Sequence, residues 1–171
     1  MKIILELKDD QYAYNGVKRV RDSCRGVVIN EDGNIALTHL YRESDAFGGR
    51  DYYELPGGGR NESETALEAA MREMEEELGV KVELIKELGI VHDYYNLIQQ
   101  ENYSYYYLFK VIGYTSQHLE PRESLLIDRI EWLSIEEAIK AYENFTKDGV
   151  GLIVKRRELP ILKLAKKYLR Q

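Results

Sequence analysis

Glu73, Glu76 and Glu77 fall at i, i+3 and i+4 in a segment that reads as one short helix, so their carboxylates stand side by side on one flank. Thr65 is a natural N-cap and Glu68 follows three residues later, a capping box that starts the helix at Ala66. Gly79 supplies a left-handed stop. Leu67, Met71, Met74 and Leu78 recur at i, i+4, i+7 and i+11, an apolar stripe expected to face a core. Carboxylates held this close repel by roughly a kcal/mol or more per pair in a partly shielded site. A fold tolerates such a cluster when a cation sits between its members.

A Glu-rich helix face is, on composition alone, more often solvated surface. Three neighbouring details favour the cation. Arg72 precedes Glu73 on the polar side, where its planar fork can orient a carboxylate. Gly57, Gly58 and Gly59 form a turn whose backbone can approach a ligand closely, because no Cβ intervenes. Leu55 and Pro56 end an extended segment just before that turn.

Gly58, then Glu64 after five residues, Arg72-Glu73 after seven more, Met74, Glu76-Glu77 and Gly79-Val80 together resemble the Nudix box, the signature of the Nudix hydrolases. Every fixed position is present. Met74 stands where the family more often has a branched aliphatic, and it keeps the apolar role. A pattern this long is far more specific than a lone glycine-rich loop.

The resemblance implies an α/β fold, a mixed β-sheet sandwiched between helices with the box helix packed on it, and a single domain over residues 1–171. It also implies an enzyme that uses water and Mg²⁺, or Mn²⁺, to cleave a pyrophosphate bond in a nucleoside diphosphate derivative, a nucleoside triphosphate or dinucleoside polyphosphate foremost. Such hard cations take oxygen ligands, typically carboxylates, waters and substrate phosphates. By analogy Glu76 and Glu77 are the main ligands and Glu73 is a further ligand or the base. A backbone carbonyl near Gly57 or Gly58 completes the sphere, Arg72 holds a glutamate in place, and Glu64 braces the turn. Alternative substrates within the family are ADP-ribose, nucleotide sugars and 5′-triphosphorylated RNA. A nucleotide-sensing module without catalysis would not need every carboxylate, and an isoprenoid-type isomerase would need a catalytic cysteine, whereas Cys24 reads as a buried structural residue.

Composition fits a small globular enzyme: 171 residues, 44% hydrophobic and 32% charged. The net charge of -6 argues against broad nucleic-acid binding and would repel phosphates unless metals intervene. A single cysteine rules out an internal disulfide and suits a reducing cytoplasm. The opening MKIILELKDD is too short an apolar run for a signal peptide, and no stretch reaches the roughly 20 apolar residues of a membrane span, so no membrane partner is expected.

The elements that must hold the box read as strands, the helix, then strands and helices. Ile3 to Leu7 is a first strand, and Arg25 to Asn30 pairs with Ile35 to Tyr41 around the turn Glu31-Asp32-Gly33-Asn34. Glu43 to Asp51 reads as a flexible loop beside the site. Val82 to Glu87 and Ser104 to Ile112 are further strands, and Glu131 to Leu133 ends a short one. Ser134 and Glu137 form a second capping box for a helix from Ile135 to Glu143.

Outside the box, Tyr103, Tyr105, Tyr107 and Phe109 alternate along a strand and are expected to pack in the sheet. Tyr94 and Tyr95, flanked by Asp93 and Asn96, read as loop residues able to stack on a base. Relatives that cleave dinucleoside polyphosphates often carry a tyrosine soon after the box and ADP-ribose hydrolases a proline; no proline lies between Val80 and Glu120. The resemblance also implies one more acidic ligand or base in a loop after the box, ahead of Trp132. Of Glu120, Glu123 and Asp128, Glu123 is the choice, although the spacing points to Leu126. His39, His92 and His118 show no metal-ligand spacing. Ile161, Leu164, Ala165 and Tyr168 form a helical stripe that packs on the domain or builds a homodimer. Lys163, Lys166, Lys167 and Arg170, with Lys155, Arg156 and Arg157, offer a basic surface for a polyphosphate or an RNA end.

Overall fold

The computed structural model of the chain describes residues 1–45 and 48–170. Strands β1 (Ile3–Glu6), β2 (Arg19–Ile29), β3 (Ile35–Asp45), β4 (Gly48–Glu54) and β5 (Gly57–Gly59) precede helix α1 (Ala66–Leu78). Then follow β6 (Val80–Tyr95), β7 (Gln100–Tyr114), α2 (Pro121–Leu126), β8 (Ile127–Leu133), α3 (Ile135–Glu143) and α4 (Val150–Leu169). The eight strands form one mixed sheet in the order β1-β6-β7-β2-β3-β4, with β5 added to β2 and β8 added to β3. Helix α1 packs on one side of it, against β2, β5 and β6, while α3 and α4 cover the other. The α/β sandwich with the box helix on a mixed sheet is therefore the observed architecture.

Local chemistry explains most boundaries. Thr65 and Glu68 make the reciprocal capping box, and Gly79 ends α1 at φ 64°, ψ 39°. Ser134 and Glu137 do the same for α3. The β2–β3 turn is held by Asn30, whose side-chain oxygen accepts from Asp32 N–H at 3.1 Å and Asn34 N–H at 2.9 Å, with Gly33 at φ 78°.

Several strands run further than expected. β2 begins at Arg19 because its whole length pairs in parallel with β7, Arg19 opposite Gln100 through Ile29 opposite Lys110. β6 runs to Tyr95 on its antiparallel ladder with β7, through three register shifts, so Tyr94 and Tyr95 are strand residues, not loop residues. The segment Glu43 to Asp51, expected as a loop, carries the paired ends of β3 and β4, Arg42 opposite Arg50 and Asp45 opposite Gly48; residues 46 and 47 lie outside the described residues. On α1 the core face is Ala69, Ala70 and Met74, with Met71 exposed. The helix sits so close to β2 that a Cβ on Gly26 would meet Phe109 at 2.8 Å and Met74 Sδ at 2.9 Å, a contact that suits alanines better than a row of long side chains.

The C-terminal stripe is covered within the chain: Ile161, Leu162 and Ala165 are fully buried under the sheet. Most of the basic residues around it are committed. Arg157 pairs with Asp93, Arg156 with Asp10, Lys163 with Glu143, and Lys166 and Arg170 with Glu136, while Lys155 donates to the carbonyls of Glu143 and Phe145.

Glu158 of α4 is the deepest charge. Its Oε2 accepts from Leu55 N–H at 2.8 Å and from Tyr142 O–H at 2.6 Å, and its Oε1 accepts from Tyr106 O–H at 3.2 Å. Arg25 donates to the Leu55 carbonyl at 2.7 Å and pairs with Glu54 at 2.6 Å, so both backbone groups of Leu55 are fixed by buried side chains. Replacing Glu158 with alanine orphans these donors and leaves Arg25 and Arg157 under-neutralised, at an expected cost of about 3–5 kcal/mol. Denaturant melts of Glu158→Ala and Glu158→Gln check this. Gln, which keeps an acceptor, should lose less, and an alanine variant as stable as the parent would show that the network contributes nothing net.

Candidate functional site

Both strand pairing and helix position converge on the glycine turn. Gly57 and Gly58 pair with Arg25 and Cys24 of β2, and Gly57 lies at φ 143°, where a Cβ would collide with the Cys24 carbonyl. At Gly58 a Cβ would meet the Glu73 carboxylate oxygen at 2.5 Å. The absent side chains are thus what lets the carboxylates of α1 lie directly on β5.

Glu73 and Glu77 are both buried, at 4% exposure each. Glu77 accepts from Gly57 N–H at 2.8 Å. One oxygen of Glu73 accepts from Arg72 at 3.0 Å, while the other, Oε2, is buried with no hydrogen-bond partner among the described residues. Glu123, on α2, completes a trio: one oxygen from each of Glu73, Glu77 and Glu123 lies within 4.8 Å of the others. Burial first, then the neighbouring carboxylates Glu123 and Glu76, push the Glu73 carboxyl up to about 7 against the pull of Arg72. Burial likewise raises Glu77 well above the ordinary carboxylate range, opposed by the Gly57 N–H and Arg25 and reinforced by Glu73 and Glu123. Burial thus disfavours the charged form of both carboxyls, and further positive charge beside them would favour it.

Arg72 binds Glu64 through two nitrogens, at 2.7 and 3.0 Å, and also donates to Glu76 at 2.9 Å and to the Gly59 carbonyl at 3.1 Å. Its hydrogen bonds hold the Glu64 carboxyl down at about 2. Glu76 is tied to this arginine and lies outside the trio. The expected division of labour therefore shifts: Glu64 and Arg72 brace the turn, Glu76 sits on that brace, and Glu73, Glu77 and Glu123 face one another.

The expected loop from His118 to Arg129 contains helix α2. Glu120 is its N-cap, and its N–H donates to Glu123 Oε2 at 2.8 Å, which orients Glu123 toward the trio. Asp128 is directed elsewhere, to His39 at 3.1 Å and Arg129 at 2.7 Å. His39 is buried between Asp128 and Asp51, and His92 packs on Tyr103 between Glu6 and Glu101. His118 is exposed.

The trio lies in a cleft of about 740 Å³, whose walls come from β2, β3, β4, β5, α1, α2 and the start of α4. Tyr95 lines it at 8% exposure, its ring 6.1 Å from Tyr12. Tyr94 points the other way, against Tyr14 and His92. Cys24 is fully buried within β2, its thiol pushed up to about 12 by burial, which makes it inert.

Arg157, expected on a basic surface, is instead buried, and sequence reading gave no role to Arg25, Glu54, Asp93 and Glu158, with which it forms a network at the base of the cleft. A signal existed for one of them. Val154, Glu158, Ile161, Leu162 and Ala165 share one helical stripe, and a glutamate within an apolar stripe is a buried charge awaiting partners.

Among curated proteins none matches this sequence. Solved structures similar to it include a NUDIX hydrolase from Nitrosomonas europaea, with TM-score 0.63 and 18% identity over 86% of this chain and 90% of that one. A MutT protein from Methanosarcina mazei Go1 aligns with TM-score 0.63 and 17% identity, over 93% and 100% of the two chains. An ADP-ribose pyrophosphatase from Streptococcus suis 89-1591 aligns with TM-score 0.55 and 15% identity, over 88% and 92%. At such identities the likeness is one of fold. The NUDIX domain family model matches residues 20–151. With its box carboxylates, arginine brace and glycine turn brought together as described, the chain belongs to the Nudix hydrolase family.

Proposed function

We propose that the chain is a pyrophosphohydrolase that uses Mg²⁺ or Mn²⁺ to hydrolyse a nucleoside triphosphate or a dinucleoside polyphosphate. The observation that carries this is the trio Glu73, Glu77 and Glu123, buried or half-buried, mutually within 4.8 Å, with Glu73 Oε2 lacking a hydrogen-bond partner among the described residues. Facing carboxylates raise one another's pKa and cost stability, and a hard cation removes that cost. Glu77, Glu73 and Glu123 would hold the cation, with Glu76 and a carbonyl of Gly57 or Gly58 beside them. When bound, divalent metal neutralises phosphate charge and acidifies water.

The chain's own residues do the positioning. Gly57 N–H fixes the rotamer of Glu77, and Arg72 fixes one oxygen of Glu73, leaving the other to face the cation. Arg25 and Glu158 lock Leu55, and the Pro56 carbonyl accepts from Gly26 N–H at 3.0 Å, so the turn keeps its place when substrate enters. Tyr95, Ile98 and Val150 offer an apolar wall for a nucleoside.

A single domain over residues 1–171 belongs to the same proposal. It is supported by β1 pairing with β6 and by α4 packing on β4 and β6, which dock the termini onto the matched region. Cytoplasmic placement rests on the reduced, buried Cys24 alone. Among the described residues no helix is long and apolar enough to cross a membrane.

Phosphate release from a panel of nucleoside triphosphates, dinucleoside polyphosphates, ADP-ribose, nucleotide sugars and 5′-triphosphorylated RNA, with Mg²⁺, tests this reading. Turnover of a triphosphate or dinucleoside polyphosphate is expected, with Glu77→Gln slower by about 10²-fold or more. No turnover of any member, or a Glu77→Gln enzyme equal to the parent, contradicts it. In the same assay Glu123→Gln should lower kcat by about 10²-fold and Glu120→Gln far less. The reverse order would move the ligand to the helix cap.

Removal of metal gives a second expectation. Glu73 and Glu77 titrate higher in the folded chain than in the unfolded one. Their contribution to stability is therefore complete below the ordinary carboxylate value of 4.5 and is lost as pH rises through about 7 at Glu73. In chelator, the parent should lose thermal stability across that window, and Glu77→Gln should lose less and melt at or above the parent at the alkaline end. A Glu77→Gln protein clearly less stable than the parent there would assign Glu77 to holding Gly57 rather than to a strained anionic cluster.

A further inference from the structure

The cleft selects one kind of cation. Eight of the chain's twelve arginines line it, and among the described residues none of its twelve lysines does. A merely basic surface would draw on both. Arginine alone offers a planar fork that binds a phosphate through two nitrogens, and phosphate recognition favours it.

Most of these arginines are already engaged. Arg72 serves the box glutamates, Arg25 and Arg157 serve Glu54 and Asp93, and Arg60 faces Asp22 at 3.5 Å. Arg21 differs: its side chain has no hydrogen bond or ion pair among the described residues, and it is solvent-accessible within the cleft. On β2, residues 19, 21, 23 and 25 alternate onto the cleft face, with Arg25 opposite Gly57 at the carboxylate end. Arg21 therefore stands about 13 Å along the strand from Arg25, and Arg19 about 20 Å. Arg19 is held by Gln100, a neutral acceptor that leaves its charge uncompensated, and Gln100 in turn donates to Asn102 at 2.5 Å. Arg122, on α2 next to Glu123, lines the same stretch and has no side-chain partner among the described residues.

Crowding supports the same picture. The cleft walls desolvate Arg21, and repulsion from Arg25, Arg157 and Arg122, against attraction from Glu54, holds its pKa below the ordinary guanidinium value. An arginine kept beside three others without a carboxylate of its own is short of one anion.

We propose that Arg21, flanked by Arg19 and Arg122, forms a subsite for a phosphate group of the substrate additional to the pyrophosphate that is cleaved. This rests on the hydrolase reading and narrows it. A substrate with only the two bridged phosphates would place its charge at the carboxylate end and leave Arg21 uncompensated further down the strand. The additional phosphate has two sources, a lengthened polyphosphate chain or a phosphorylated sugar, and the chemistry at Arg21 is the same for both.

The test needs no turnover. Calorimetric titrations without divalent cation compare inorganic tripolyphosphate with inorganic pyrophosphate, and adenosine 3′,5′-bisphosphate with adenosine 5′-monophosphate. In the parent, the added phosphate should tighten binding about tenfold or more in one of the two arms, and that arm identifies the source. Arg21→Gln should erase the gain, and Arg21→Lys should restore part of it, without change in melting temperature because Arg21 has no side-chain partner to lose. A parent that shows no gain in either arm, or a gain that survives in Arg21→Gln, overturns the subsite. Such a result leaves the hydrolase reading to the separate turnover panel, since no bond is broken in these titrations.

Discussion

Direct contact between the glycine turn and the carboxylates of α1 is the constraint on which the rest of the structure depends. Glu73 and Glu77 can be buried only because Gly57 and Gly58 bring backbone, not side chain, against them. Gly57 adopts a φ that other residues rarely take and in return gives Glu77 its N–H. Two carboxylates in so dry a place would ordinarily be a defect, costing the fold rather than supporting it. Here the surroundings are arranged to keep them: Arg72 neutralises one side of Glu73, Gly57 N–H satisfies Glu77, and Glu123 arrives from α2 to make the charge excess larger still.

Holding the turn falls to buried charges on β2 and α4. Arg25 and Glu158 take the carbonyl and the amide of Leu55, and Tyr106 and Tyr142 donate to Glu158 from β7 and α3. Leu55, two residues ahead of the glycines, is thus tied to β2, β7, α3 and α4 together. Alternate residues of β2 then continue as the cleft floor, so one strand both buries the supporting pair and presents Arg21 to the substrate side.

What was legible in the sequence was what is local. The caps of α1 and α3, the stop at Gly79 and the turn from Glu31 to Asn34 are set by residues within a few positions of each other, and each is found where expected. The Nudix box was legible because its residues lie on one helix and one turn. Strand ends were not, since β2 and β6 are extended by pairing with β7, which only tertiary contact supplies. For that reason Tyr94 and Tyr95 read as loop. Glu76 looked equivalent to Glu77 by spacing, yet one helical position separates a carboxylate facing Arg72 from one facing Gly57. The buried network escaped because charges far apart in sequence, Arg25, Glu54, Asp93 and Glu158, show no pattern until the sheet assembles them.

The central claim is that the trio Glu73, Glu77 and Glu123 is a divalent cation site. Anomalous diffraction from crystals of the protein grown with Mn²⁺ tests it most directly. The expected result is a peak between those three carboxylates, within the roughly 2.0–2.6 Å reach typical of oxygen ligands to hard cations. A peak bound elsewhere on the chain, or none between these glutamates at saturating Mn²⁺, would contradict the account.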